Sequence, residues 1–194
     1  MLARLLQAAG LAVQPLSSAD AFLRAHDPAL AGCAVLDVHL PGIDGLALQR
    51  RLRRDGAARP VVFIAASGAV EQGVQAMKDG AVDFLTKPVD PVAFLGAVGR
   101  ALASDTRERR ARAELQRIRG CLDSLTPRER EVLRQVVAGR MNKQIAADLG
   151  ITEKTIKVHR ARAMEKMEAA SLAQLVRKTL EVRAGAVFED DPDA

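Results

Sequence analysis

The chain has 194 residues, 48% of them hydrophobic, a net charge of +5 and two cysteines, Cys33 and Cys121. That bounds it to one or two cored domains. It speaks against a disulfide framework, a cysteine metal site or a membrane helix, because the thiols lie far apart in no ligand spacing and no run reaches the ~18 apolar residues of a span. Gln7 and Gln14 interrupt the N-terminal leucine run, so a secretion signal is not expected, and a reduced cytosolic chain is the simplest reading.

Two periods alternate in the first half. Leu2, Leu5, Leu6 and Ala9 form a helical stripe that Gly10 can close. The short apolar run LAVQPL follows, then a helix from Ser18 through Phe22 and Leu23. CAVLDV (33–38) reads as a short buried strand. Residues 44–56 are helical, with Leu48 and Leu52 on one face, and PVVFIAA (60–66) is the next buried strand. Val70, Val74 and Met77 make a further helical stripe stopped by Gly80. AVDFL (81–85) reads as a strand, TKP as a loop, and 91–103 as a helix with Pro91 at its first position. Alternating short strands and helices predict an open parallel sheet covered on both faces.

Residues 104–124 are charged and lean helical, with Leu115, Ile118 and Leu122 on one side, and read as a linker helix. Beyond them there is no strand signal. Thr126-Pro-Arg-Glu129 is a capping box with Pro at the first helical position. Val132, Leu133, Val136 and Val137 follow at helical spacing up to Gly139. Asn142 is expected to cap a short helix through Leu149, Gly150 to make a turn, and Thr152 to cap a third helix to about Met167. Ser171 with Gln174 starts a fourth helix to about Arg183. The remainder, 184–194, reads as an acidic, mostly disordered tail.

Charge follows the same division. Residues 1–104 hold 10 Lys/Arg against 9 Asp/Glu, and residues 105–188 hold 19 against 11. A basic second half points to a polyanion there, although a solvated surface would carry the same charge. The third helix sharpens this. Ile156, Ala163, Met164 and Met167 share its inward face, Lys154, Lys157, Val158 and Ala161 the opposite one, and Arg160 and Arg162 flank it. A short helix, a Gly turn and a basic-striped second helix form a helix-turn-helix pattern that fits a major groove. Asn142 and Lys143 start the preceding helix, where free N–H groups suit a phosphate oxygen. His159 borders the inward face, as a packing residue or a phosphate contact. With no Cys or carboxylate cluster, it is not a zinc site.

Residues 125–178, LTPREREVLRQVVAGRMNKQIAADLGITEKTIKVHRARAMEKMEAASLAQLVRK, resemble the LuxR-type DNA-binding domain of the FixJ/NarL response regulators. The resemblance implies a four-helix unit in which 153–167 recognises double-stranded DNA and 171–183 packs in a homodimer. By family position Lys157, Val158 and Ala161 would face bases, with Lys154, Thr155 and Arg160 on or beside that face. Ala161 stands where some relatives carry a lysine, which leaves an apolar contact such as a thymine methyl.

Residues 1–103 resemble the receiver domain of the same regulators through LDVHLPGIDG and AVDFLTKPVD. The resemblance implies a flavodoxin-like α/β fold, Asp37 as phosphoacceptor, Lys87 pairing with the phosphoryl group, Mg²⁺, a cis peptide before Pro88 and a sensor histidine kinase as partner. The residue types suit this: a carboxylate at a strand's C-terminal end lies in the crevice where open α/β sheets bind ligands, and it can be a nucleophile. Two departures stand out. Ala65 occupies the position of the family's hydroxyl, with Ser67 two residues later as a substitute if the loop shifts. And Met1 begins at the family's first helix, so the first strand and its acidic pair are missing, which leaves Mg²⁺ with Asp37 and the backbone carbonyl of His39. That absent strand would lie between LAVQPL and CAVLDV, so the neighbours close up, the edge stays open, or the N-terminal segment is loose. The start is misassigned or the receiver is degenerate.

The expected domains are therefore a receiver-like 1–103, a linker helix 104–124, a LuxR-type 125–183 and a tail 184–194. The expected function is a cytoplasmic transcriptional regulator, not an enzyme, whose dimerisation and DNA binding are gated at Asp37. The alternative keeps DNA binding and leaves the first domain as a phosphorylation-independent dimerisation or partner module. An aspartate-nucleophile phosphatase would want a second aspartate two residues on, where His39 stands, and no phosphate-binding glycine loop appears.

Overall fold

The structure is a computed structural model describing residues 1–56 and 59–189. It divides into two compact units, Met1–Arg109 and Arg110–Ala194. In the first, helices α1 (Leu2–Ala8) and α2 (Ala19–Ala25) precede strand β1 (Ala34–Asp37). Helix α3 (Gly45–Arg54), strand β2 (Val61–Ala65), helix α4 (Val70–Lys78), strand β3 (Asp83–Thr86) and helix α5 (Pro91–Asp123) follow. The three strands are parallel in the order β1-β2-β3.

Period-two alternation sorts the sheet's side chains onto two layers. Ala34, Leu36, Val61, Phe63 and Ala65 face one side and pack with Ala19, Leu46, Leu48, Leu52 and Ala76 of α2–α4. Ile64 packs on the other side with Leu6 of α1 and Phe94 and Val98 of α5. Every residue of β2 is buried, which is why that strand reads as an unbroken apolar run.

Two expectations are corrected. LAVQPL (11–16) is not a strand. Pro15 removes a ladder donor and restricts Gln14, while Leu11 and Val13 instead pack against the Leu6–Phe94 cluster. Among the described residues β1 is thus an edge strand. Helix α5 does not stop near 103. No Gly or Pro lies between Arg100 and Arg119, and Ser104–Glu108 (3.0 Å) and Asp105–Arg109 (2.8 Å) pairs carry the helix onward. Asp105 also accepts from the Gly32 N–H (2.9 Å), and Arg109 donates to the carbonyls of Pro28 and Ala29, so the loop before β1 is tied to α5. Beside that loop Cys33 is half-buried, and burial pushes its thiol up.

The second unit holds helices α6 (Pro127–Val137), α7 (Asn142–Leu149), α8 (Glu153–Lys166) and α9 (Leu172–Glu189). Val132, Leu133, Ile145, Ile156, Ala163, Met167 and Leu175 make its core, joined by Ile118 and Leu125. The caps follow the sequence reading, with two changes. The N-cap of α7 is Met141, whose N–H donates to Gln144 (2.9 Å), and Asn142 is the first helical residue. Helix α9 runs past Arg183 to Glu189, and residues 190–194 of the expected tail lie outside the described residues.

The Thr126 capping box carries more than a helix start. Glu129, 4% exposed, accepts from the Thr126 N–H (2.9 Å) and from Lys166 of α8 (2.7 Å), so it ties α6 to α8. The Lys166 hydrogen bond, then the Thr126 N–H, hold its carboxyl down at about 2, against 4.5 unperturbed. A carboxyl lowered in the folded state stabilises fully above its unfolded value and loses that contribution as pH falls toward the folded one. Thermal melts of residues 110–194 are therefore expected to lose stability steeply between pH 4.5 and 2. Glu129→Gln should melt lower at pH 7 and show a flatter acid limb. A parallel acid limb in the variant would refute the assignment.

Candidate functional sites

One site forms in the first unit where β1 and β3 end. Asp37 closes β1 beside Ile64 of β2. Lys87 follows β3, its N–H bonded to the Ala65 carbonyl (2.8 Å) and its peptide with Pro88 cis. Two side chains fifty residues apart in sequence thus meet: Lys87 Nζ donates to Asp37 Oδ2 at 2.6 Å. Asp37 Oδ1 accepts from the His39 N–H at 2.9 Å. Partial burial raises the Asp37 carboxyl, but the Lys87 hydrogen bond, the His39 N–H and the Lys87 charge outweigh it and hold it below the usual range. The result is an ionised carboxylate, about a third exposed, aimed at a cation.

Gly45 shapes this strand end. Its N–H donates to the Val38 carbonyl (2.9 Å), and a Cβ there would lie 2.5 Å from the Asp37 carbonyl oxygen and 3.0 Å from the Phe63 ring. Only glycine lets α3 start against β1. Gly45→Ala should cost about 1–3 kcal/mol by chemical denaturation and displace the strand end that carries Asp37. An unchanged midpoint would show that the strand end yields freely.

Ala65 is buried and brings no hydroxyl, and Ser67 lies exposed in the turn after β2. Among the described residues no group of three or more His, Cys, Asp or Glu converges to hold a metal. The apolar stripe of α4 stays outside the core. Val70 is 73% exposed and Met77 48%, and with Val74, Gly73, Phe84 and Thr86 they border an apolar cavity of about 520 Å³.

The second site lies in the other unit. Gly150, at φ +63, makes the left-handed turn between α7 and α8, a conformation glycine adopts without strain. Thr152 caps α8 through the Thr155 N–H (3.2 Å), and the two hydroxyls bond each other (2.9 Å). Lys154, Lys157, Val158, Ala161 and Arg162 are exposed on α8, and Lys143 is exposed on α7. Lys157 is 3.6 Å from Glu153 one turn back. Arg160 and Asn142 are half-buried and joined, Arg160 Nη1 donating to Asn142 Oδ1 at 3.1 Å. His159 is half-buried, with a buried Nδ1 that has no partner. Apart from half-buried Asn142, Thr155 and Arg160, the expected set is an exposed, cationic surface with one apolar strip, Val158–Ala161. The Asn142–Arg160 bond, across 18 residues, left no local signal.

Comparison with known proteins follows the same division. The family model "Response regulator receiver domain" matches residues 1–99, and "Bacterial regulatory proteins, luxR family" matches residues 123–179. The chain is 47% identical to the transcriptional regulatory protein FixJ of Azorhizobium caulinodans, over 98% of this chain and 89% of that protein. It is 42% identical to nodulation protein W of Bradyrhizobium diazoefficiens, over 91% and 78%. Among solved structures, response regulator StyR aligns with a TM-score of 0.83 at 41% identity, over 93% of this chain and 91% of that one. Full-length FixJ from B. japonicum aligns with a TM-score of 0.54 at 38% identity, over 94% and 90%.

Proposed function

The chain belongs to the two-component response regulators that join a receiver domain to a LuxR-type DNA-binding domain, and on that premise we propose that phosphorylation of Asp37 gates the pairing of two copies and their hold on DNA. The observation that carries this reading is the Lys87–Asp37 contact at 2.6 Å. A receiver implies a histidine kinase as phosphodonor, and a LuxR-type domain implies duplex DNA as ligand. In the transfer, an Asp37 oxygen attacks phosphorus, the bond from phosphorus to the kinase's imidazole nitrogen breaks, and that nitrogen leaves with the electron pair. Lys87 then faces a dianionic acyl phosphate instead of a single carboxylate.

Receiver domains generally bind Mg²⁺ at this place. Here the described residues offer the Asp37 carboxylate and the backbone carbonyl of His39. Both Asp37 oxygens already have N–H partners. That is short of a built site, and one carboxylate with water suits only weak binding.

Pairing is assigned to apolar surface left exposed: Val70, Val74 and Met77 on α4, and Leu172 and Leu180 on α9. DNA contact is assigned to Lys154, Thr155, Lys157, Val158, Arg160, Ala161 and Arg162 on α8, with Asn142 and Lys143 on α7. The working division is a receiver over 1–103, a linker over 104–124, a DNA-binding domain over 125–183 and a tail over 184–194. No helix among the described residues is long and apolar enough to cross a membrane. The relatives named above are regulators, and we read this chain likewise as a cytoplasmic regulator without metabolic activity.

A second reading is favoured by Ala65, which cannot hydrogen-bond a phosphoryl group: the first unit then pairs copies whether or not Asp37 is modified. Light scattering and DNA titration with and without acetyl phosphate separate the two. Gating predicts a shift from monomer to dimer with tighter DNA binding, both lost in Val74→Glu/Met77→Glu. Equal mass and affinity in phosphorylated and untreated chain would overturn gating in favour of the second reading.

A further inference from the structure

The geometry joins Asn142 and Arg160 into one unit. Bidentate reading of adenine by an asparagine uses both its Oδ1 and its amide N–H. Here Oδ1 already accepts from Arg160 Nη1 at 3.1 Å. The same bond fixes one arm of the guanidinium and leaves its Nε and Nη2 edge, a planar pair of donors that matches two phosphate oxygens. Arg160 also lies off the exposed Lys157–Val158–Ala161 strip, on the side where α8 meets the start of α7, beside exposed Lys143. In helix-turn-helix docking the first helix crosses the sugar-phosphate backbone while the second enters the groove. A cation held where the two helices meet therefore faces the backbone.

We propose that Asn142 is a positioning residue for Arg160: it holds the guanidinium toward a DNA phosphate and reads no base itself. This rests on the DNA-binding reading above. The role explains why the first residue of α7 is an asparagine that caps nothing, since Met141 holds the N-cap and Gln144 already serves the Met141 N–H. It also makes specificity independent of Asn142, leaving base discrimination to Lys157, Val158 and Ala161.

The test is a double-mutant cycle on the full chain, with Asn142→Ala, Arg160→Ala, both together, and Arg160→Lys, which keeps the charge but loses the fork. Binding is measured by fluorescence anisotropy across a salt series. The probes are a duplex selected from a random pool by the wild-type chain and an unrelated duplex of the same length. Arg160→Ala should weaken both about tenfold and lower the salt slope by about 1. Asn142→Ala should weaken both by about three- to tenfold and add nothing further in the Arg160→Ala background. Independent, additive losses would overturn the proposal by giving Asn142 its own contact. A loss confined to the selected duplex would overturn it by making the pair a base reader. Absence of DNA binding by the wild-type chain would overturn the DNA-binding reading itself, which the additive result would leave standing.

Discussion

Asp37→Ala is expected to abolish incorporation of phosphate from acetyl phosphate and, with it, every phosphate-driven change in DNA affinity. The loss should be complete because the substituted atom is the nucleophile. Of the described acids, only Asp37 is known from its contacts to meet Lys87 at the sheet's C-terminal edge. The variant should nonetheless fold. Asp37 is about a third exposed, and pairs of that kind contribute about 0–1 kcal/mol. A Tm near that of the wild type would therefore assign the defect to chemistry. Lys87→Ala should behave differently, retaining slow phosphorylation while losing the response, because it removes the cation that meets the product. Radiolabel or Phos-tag gels read the first quantity, and DNA titration the second. Undiminished labelling of Asp37→Ala would move the phosphoacceptor elsewhere and sink the assignment.

The same site shows where sequence suffices and where it stops. Asp37 is legible because it ends a short apolar run, and strand ends in an open α/β sheet lie at the binding edge, whereas Lys87 is reached through the resemblance of AVDFLTKPVD to receiver domains. The caps at Thr126, Thr152 and Ser171 are legible because a cap is satisfied within three residues. Helix α4 is the counterexample. Val70, Val74 and Met77 lie on one face as their spacing says, but spacing reports only that a face is apolar, not that anything covers it. In sequence Gly45 reads merely as part of the helical segment 44–56, since the Asp37 carbonyl that excludes a side chain there belongs to another element. The same reason hides the Glu129–Lys166 tie across 37 residues and the Asn142–Arg160 bond across 18. LAVQPL failed as a strand because strand formation needs a partner ladder, and composition alone supplies none. Helix α5 failed in the opposite direction: a change from apolar to charged residues marks where burial ends, but charged i,i+4 pairs keep the helix going.

Lys157→Ala/Arg160→Ala is expected to weaken duplex binding by about two orders of magnitude at physiological salt and to flatten its salt dependence by about 1–2 units of slope. Each cation that meets a phosphate releases condensed counterions, so deleting two removes both affinity and slope together. The two residues should separate when taken singly. Lys157 is exposed on the strip that carries Val158 and Ala161, where a major groove would present base edges. Its loss should therefore reduce discrimination between a selected and an unrelated duplex, while Arg160 should cost both equally. Neither side chain belongs to the core of Ile145, Ile156, Ala163 and Met167, so melting of the double variant should stay near the wild type. Glu153 modulates the outcome. It lies 3.6 Å from Lys157 and must release that ammonium before DNA can take it, so Glu153→Gln should strengthen binding slightly and speed association. A mobility shift that survives the double substitution unchanged would remove α8 from the interface and leave the positive charge of the second unit as ordinary solvated surface.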